Sequence, residues 1–293
     1  MIKETPITSL PQPHFPINKR KEPASSNPDL PPLFFSALIV GSKNSGKTFA
    51  LTSLLKLFED NPIYDIHGEE LEQRIVLFSP TAKAETNVIF KNLNNLSEDD
   101  IHLEYSDDTI EDLVEEMKTN VDAVNEYENY VKILNKYEKT NQELTDEEYW
   151  ILYNHNFLSI EPVKHKITHI ILDDLIGDKN TFNKARDGSL VKLLLKHRHL
   201  YCNIFITTQY ISAIQPIIRN NIDIFCIFKY ANLKDVIMKF YPVVSGVMTE
   251  EQFKELYKHA IQDKYNFLTI INHNSLKGKL LIRKNWNTNL TIS

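Results

Sequence analysis

LFFSALIVGSKNSGKT, residues 33–48, joins a short apolar run to an octet bounded by glycines. A continuous run of this length predicts a strand buried on both faces, as in a parallel sheet. The octet Gly41, Ser42, Lys43, Asn44, Ser45, Gly46, Lys47 and Thr48 satisfies the full phosphate-loop pattern G-x-x-x-x-G-K-[ST]. Its glycines let the backbone turn and bring N–H groups onto phosphate oxygens. The helix N-terminus that follows adds a favourable potential for anions. The Lys47 ammonium suits the β- and γ-phosphates of ATP, and the Thr48 hydroxyl suits Mg²⁺. Residues 48–58 then read as a helix, with Leu51, Leu54, Leu55 and Phe58 on one face. Lys43 inside the loop is either a solvated lysine or a basic residue acting on the nucleotide.

Outward from this unit, strands are predicted at 74–79 (RIVLFS), 101–105, 167–172 (ITHIIL), 203–208 (NIFITT) and 222–228 (IDIFCIF). Helices are predicted at 184–197, 233–240 and 250–261. A terminal strand pair is predicted at 267–271 and 279–283, around a turn at 275–278. Strands alternating with helices imply an α/β fold with a mostly parallel central sheet. Residues 107–154 are charged and helix-prone, with Leu113, Val114, Met117, Val121 and Val124 at helical spacing. We read 97–160 as an acidic, largely helical insertion in a core spanning 33–230, with 231–293 a C-terminal extension of the same domain. Residues 1–32 hold eight of the thirteen prolines and no apolar periodicity, and read as a disordered, Pro-rich arm.

Two further strand ends carry chemistry. Residues 170–174 read IILDD, so an apolar strand delivers Asp173 to the sheet edge near a Mg²⁺ shell. Asp174 then sits where a carboxylate can polarise water for attack on the γ-phosphate. The strand NIFITT ends at Gln209, whose amide can hydrogen-bond that water or the γ-phosphate.

Composition bounds the rest. The 293 residues correspond to one or two domains at about 150 residues each. No apolar run approaches the ~18 residues of a membrane span, so no integral membrane segment is expected. The first residues lack an apolar signal region, so a secretory route is not expected either. Two cysteines exclude a disulfide framework, and the ten histidines show no metal-protease spacing. The net charge of −6 hides a segregation. Residues 97–150 hold 18 acidic and 4 basic residues, a local charge of −14, and the remainder carries +8. A polyanionic partner is therefore not excluded.

The order of motifs resembles a family. A phosphate loop, a distant Asp-Asp, an Arg-His ahead of a strand ending in Thr-Gln, and then Ile-Arg-Asn is similar to the genome-packaging ATPases of large nucleocytoplasmic DNA viruses. These include the poxvirus packaging ATPase, in the FtsK/HerA branch of P-loop motors. The stretch 196–229, KHRHLYCNIFITTQYISAIQPIIRNNIDIFCIFK, carries most of the likeness. It implies an additional-strand, RecA-like P-loop fold, with the strand ending at Gln209 between the phosphate-loop strand and the Asp-Asp strand. It implies ATP and Mg²⁺ as cofactors, with Lys47 and Thr48 on the nucleotide, Asp173 on the metal, Asp174 as the catalytic acid position and Gln209 as a sensor. Arg198 matches an arginine finger reaching a neighbouring subunit's ATP, with Arg219 the alternative. Double-stranded DNA, viral capsid or inner-membrane proteins and a homo-oligomeric ring, hexameric or pentameric, are the implied partners. The implied locations are virus assembly sites in the host-cell cytoplasm, and the virion.

Two rivals share the motifs: a HerA-like translocase or helicase in replication or repair, and an ATP-switched scaffold without motor activity. Lys184, Arg186, Lys192, Lys277, Lys279, Arg283 and Lys284 are candidate contacts to DNA phosphates. In the implied sheet order, Cys202 and Cys226 lie on strands flanking the phosphate-loop strand, which argues against a disulfide between them.

Overall fold

The structure, a computed structural model, describes residues 23–82, 85–139, 143–175, 188–210, 212, 214–273, 276 and 279–291. Its strands are β1 (Ala24–Ser25), β2 (Ser36–Val40), β3 (Ile63–Tyr64), β4 (Gln73–Phe78), β5 (Leu96–His102), β6 (Ile167–Leu172), β7 (Cys202–Thr208), β8 (Ile224–Phe228), β9 (Phe267–Ile271), β10 (Leu281–Lys284) and β11 (Thr288–Asn289). Helices are α1 (Lys47–Glu59), α2 (Asp107–Lys139), α3 (Asp146–Tyr153), α4 (Ser189–Lys196), α5 (Pro216–Arg219), α6 (Leu233–Val244) and α7 (Glu250–Ala260).

Nine strands form one sheet in the order β11-β10-β9-β8-β2-β7-β6-β4-β5. The six from β8 to β5 run parallel, and β9, β10 and β11 add on antiparallel. Every residue of β2, β6, β7 and β8 is buried, as a sheet covered on both faces demands. Alternation sorts β2 between two cores. Ala37 and Ile39 join the layer of α1, while Leu38 and Val40 join the layer of α2, α4, α6 and α7. β7 lies between β2 and β6, the order the family resemblance implies. Cys202 and Cys226 are buried free thiols on β7 and β8, on either side of β2.

A polar line crosses the interior near the N-terminal ends of the strands. Asn203 Oδ1 accepts from Phe34 N at 2.7 Å and Phe35 N at 3.1 Å. Its amide group therefore faces His169 Nδ1, 3.2 Å away. This assigns the His169 proton to Nε2, which donates to Gln73 Oε1 at 3.1 Å. Gln73 Nε2 donates in turn to Phe58 O at 3.0 Å.

Several boundaries differ from the sequence reading. β5 occupies Leu96–His102 rather than 101–105, because an edge strand tolerates the polar run Ser97, Glu98, Asp99 on its exposed positions. Within 97–160, β5 packs on the core of α1 through Leu96 and Ile101, and the first half of α2 joins the opposite core through Ile110, Leu113 and Met117. Only the distal part has a core of its own, made of Tyr130, Ile133, Leu134 and Leu152. Of the Pro-rich arm, residues 23–32 are docked: β1 pairs with β3, and Asp29 O accepts from Arg283 Nη1 at 2.7 Å. Residues 1–22 lie outside the described residues, as do 184–187 of the helix predicted at 184–197 and the turn residues 275, 277 and 278.

Candidate active site

Parallel pairing brings the ends of β2, β7 and β6 to one edge. Gly41 N donates to Thr208 O at 3.2 Å, so the phosphate loop leaves the sheet directly beside the end of β7. The loop has no room for larger residues at its first position. A Cβ on Gly41 would lie 2.5 Å from Ser45 Oγ and 2.7 Å from Phe228 Cβ. Gly46 closes the loop at φ 100°, a left-handed conformation that suits glycine. Asn44 at φ 61° supplies a second reversal.

Lys47 is buried, and its Nζ donates to Gly41 O at 2.9 Å and Ser42 O at 3.1 Å. Burial lowers its pKa, against the raising influence of Asp174 and then Asp173. Among the described residues Ser45 Oγ is buried without a hydrogen-bond partner. An orphaned hydroxyl and a lysine resting on its own loop's carbonyls fit a phosphate group, which would satisfy both.

The acidic pair is ordered by β7. Thr207 Oγ1 donates to Asp173 Oδ1 at 2.7 Å and accepts from Asp174 N at 3.0 Å. Ser79 Oγ, at the end of β4, donates to Asp173 Oδ2 at 3.2 Å. Burial raises the Asp173 pKa, the two hydroxyls oppose that rise, and the Asp174 charge adds to it. Asp174 takes φ 52°, and its Oδ2 accepts from Gln209 Nε2 at 2.6 Å. Among the described residues no group of three His, Cys, Asp or Glu side chains is arranged to hold a metal ion. A Mg²⁺ carried on nucleotide phosphates needs only one or two protein oxygens, and the Thr48 hydroxyl and Asp173 carboxylate are hard oxygen donors of that kind.

The structure thus assembles Lys47, Asp173, Asp174 and Gln209. Ser79 and the double role of Thr207 were missed in the sequence. Hydroxyls at strand ends are common there, and only the register across β4, β6 and β7 singles these two out.

Arg198 and Arg219 are not brought to this edge. Arg198 sits in the 3-10 turn His197–Leu200 that leads into β7, where Nη2 donates to Asp223 Oδ1. Asp223 also accepts from Ser36 N at 2.9 Å and Ser36 Oγ at 3.1 Å. Arg198 is therefore committed at the N-terminal edge of the sheet. Arg219 ends α5, on the way into β8, and makes no ion pair among the described residues. Lys43 is exposed, and so are Lys192 and Lys279. Arg283, a candidate DNA contact, is instead buried, with Nη1 also donating to Trp286 O and Nε to Asn289 Oδ1. Lys284 pairs with Asp263 at 3.0 Å. Lys184, Arg186 and Lys277 lie outside the described residues.

Strand order, loop and acidic pair define the fold as that of a P-loop NTPase with an additional strand between loop and acid. No protein-family model and no curated protein matches the chain. Among solved structures it is similar to the genome packaging NTPase B204 from Sulfolobus turreted icosahedral virus 2 in complex with ATP-gammaS, at 12% identity and TM-score 0.47, over 85% of this chain and 96% of that one. It is also similar to the cytoplasmic domain of the Thermomonospora curvata type VII secretion ATPase EccC, at 14% identity and TM-score 0.41, over 85% of this chain and 25% of that one. The pCW3 conjugation coupling protein TcpA with ATPgS is a third, at 14% identity and TM-score 0.42, over 87% and 64% of the two chains.

Proposed function

We propose that this chain is an ATPase motor that moves double-stranded DNA into a viral capsid, acting as a homo-oligomeric ring. The observation that carries the ATPase reading is the joint placement of Lys47, Asp173 and the Asp174–Gln209 pair at one sheet edge, fixed by Thr207. The sequence likeness of residues 196–229 to packaging ATPases carries the DNA and capsid part. Sites of virus assembly in the host-cell cytoplasm follow from the same likeness.

The residues divide the work. Thr48 and Asp173 would hold Mg²⁺, which supplies charge neutralisation on the phosphates when bound. Lys47 exchanges the carbonyls of Gly41 and Ser42 for phosphate oxygens. Asp174 takes the proton of the attacking water, and the Gln209 amide, already paired to that carboxylate, orients it. A finger in trans completes charge stabilisation and is worth roughly 10³–10⁵ in rate. Arg219 is the better candidate, because Arg198 is bound to Asp223.

Turnover measured with and without duplex DNA tests this. DNA is expected to stimulate hydrolysis, and Asp174→Asn to lower kcat roughly 10²-fold or more. Unwinding of a forked duplex would favour the helicase reading instead. ATP binding with no DNA-stimulated turnover would favour the scaffold.

A further inference from the structure

A cleft of about 670 Å³ opens from the end of the phosphate loop. Gly46 and Phe49 border it at the start of α1, Leu57 further along, and Tyr265, Phe267 and Trp286 across from them. Phe49 directly follows the loop, yet it is 66% exposed. Tyr265 is 54% exposed and takes φ 71°, a left-handed conformation that is uncommon for a bulky residue and is concentrated at ligand sites. Its ring lies against the loop: a Cβ on Gly46 would sit 3.3 Å from Tyr265 Cδ1. The Lys264 ammonium stands 4.7 Å from the centroid of the same ring. The far wall is fixed, because Trp286 Nε1 donates to Ala50 O at 2.9 Å and its ring meets Phe267 edge-on at 5.2 Å.

We infer that this cleft takes the base and ribose of the nucleotide, with Tyr265 and Phe49 as a stacking shelf. The inference rests on the reading of residues 41–48 as a phosphate loop. Phosphates held there leave the nucleoside to extend past Gly46, and the surface it meets is aromatic. A second cleft beside Tyr265 is smaller, about 270 Å³, and mixes Lys229 and Lys264 with Asp263 and Phe228. Of the amides bordering the cleft, two are already engaged: Asn285 Nδ2 donates to Asn266 Oδ1 at 2.9 Å, and Asn266 Nδ2 to Asp263 Oδ2 at 3.0 Å, while Asn92 and Asn287 also line it. A shelf that stacks without reading base edges accepts purines with little discrimination. The ligand class is therefore nucleoside triphosphates held by stacking, with ATP and GTP bound comparably.

Calorimetric titration of the full chain with ATP, GTP and inorganic tripolyphosphate in Mg²⁺ buffer tests the shelf. Wild type is expected to bind both nucleotides about 10-fold or more tighter than tripolyphosphate. Tyr265→Ala brings that ratio toward one, and Tyr265→Phe keeps it. Phe49→Ala removes an exposed ring without disturbing the core and shifts the ratio in the same direction. Equal wild-type affinity for ATP and tripolyphosphate, or an unchanged ratio in both alanine variants, overturns the shelf and leaves the phosphate loop standing. ATP bound and GTP refused overturns the weak choice of base. A chain that binds none of the three overturns the phosphate-loop reading together with the shelf.

Discussion

The Thr207 hydroxyl holds both members of the acidic pair, one through its proton and the other through its lone pair. Thr207→Val keeps the shape and removes both contacts. A buried carboxylate and an amide lose a partner, so unfolding in urea should show a loss of about 1–3 kcal/mol, with turnover falling as well. A variant as stable and as active as wild type would show the hydroxyl to be incidental. His169 makes a pH prediction at the same scale. Burial holds its imidazole neutral, with a pKa lowered to about 3, against about 6.5 in the unfolded chain. Between those values the unfolded chain binds a proton that the folded chain refuses. Stability from this residue is thus present above about pH 6.5 and is lost as pH falls toward about 3. His169→Gln should flatten the decline in urea midpoint between pH 7 and pH 5, and equal slopes would contradict it. The phosphate loop was legible because its chemistry constrains four positions, Gly41, Gly46, Lys47 and Thr48, within eight adjacent residues. The partners of Asp173 were not, since Ser79, Thr207 and Asp173 lie on three different strands.

The 33 residues of α2 make a rod of roughly 50 Å at ~1.5 Å per residue, and its first half covers the sheet. Its far end pairs with α3, which starts at a Thr145–Glu148 capping box. Tyr130 Oη ties the pair to the following loop, donating to Leu158 O at 2.5 Å. The small core there shares no residue with the main cores. Leu152→Ala should therefore destabilise the excursion locally, by about 2–5 kcal/mol. Hydrogen exchange should speed up in 124–153 and stay unchanged in β2, with ATP affinity retained. Global unfolding of this variant would show the excursion to be part of the main cooperative unit. Helical spacing made α2 legible, and continuous apolar runs did the same for β2, β6, β7 and β8. β5 was misplaced because its polar residues follow no strand pattern, and β1 and β3 are too short to leave one.

Over the whole molecule, charge is divided between a range carrying −14 and a remainder carrying +8. The acidic range forms the β5 edge of the sheet and the α2–α3 excursion, surfaces that repel a polyanion. DNA gripped by a ring of such chains would run past the remainder. Arg198 is committed to Asp223 at the N-terminal edge of the sheet, so the finger proposed in trans falls to Arg219. The most direct test of a shared site is ATP turnover on duplex DNA by Asp174→Asn chains, by Arg219→Ala chains, and by an equimolar mixture of the two. Each alone is expected to be nearly inactive, and the mixture to regain a measurable part of wild-type turnover, because intact sites then face intact arginines. A mixture no more active than its components, with Arg219→Ala alone as active as wild type, would contradict the shared site.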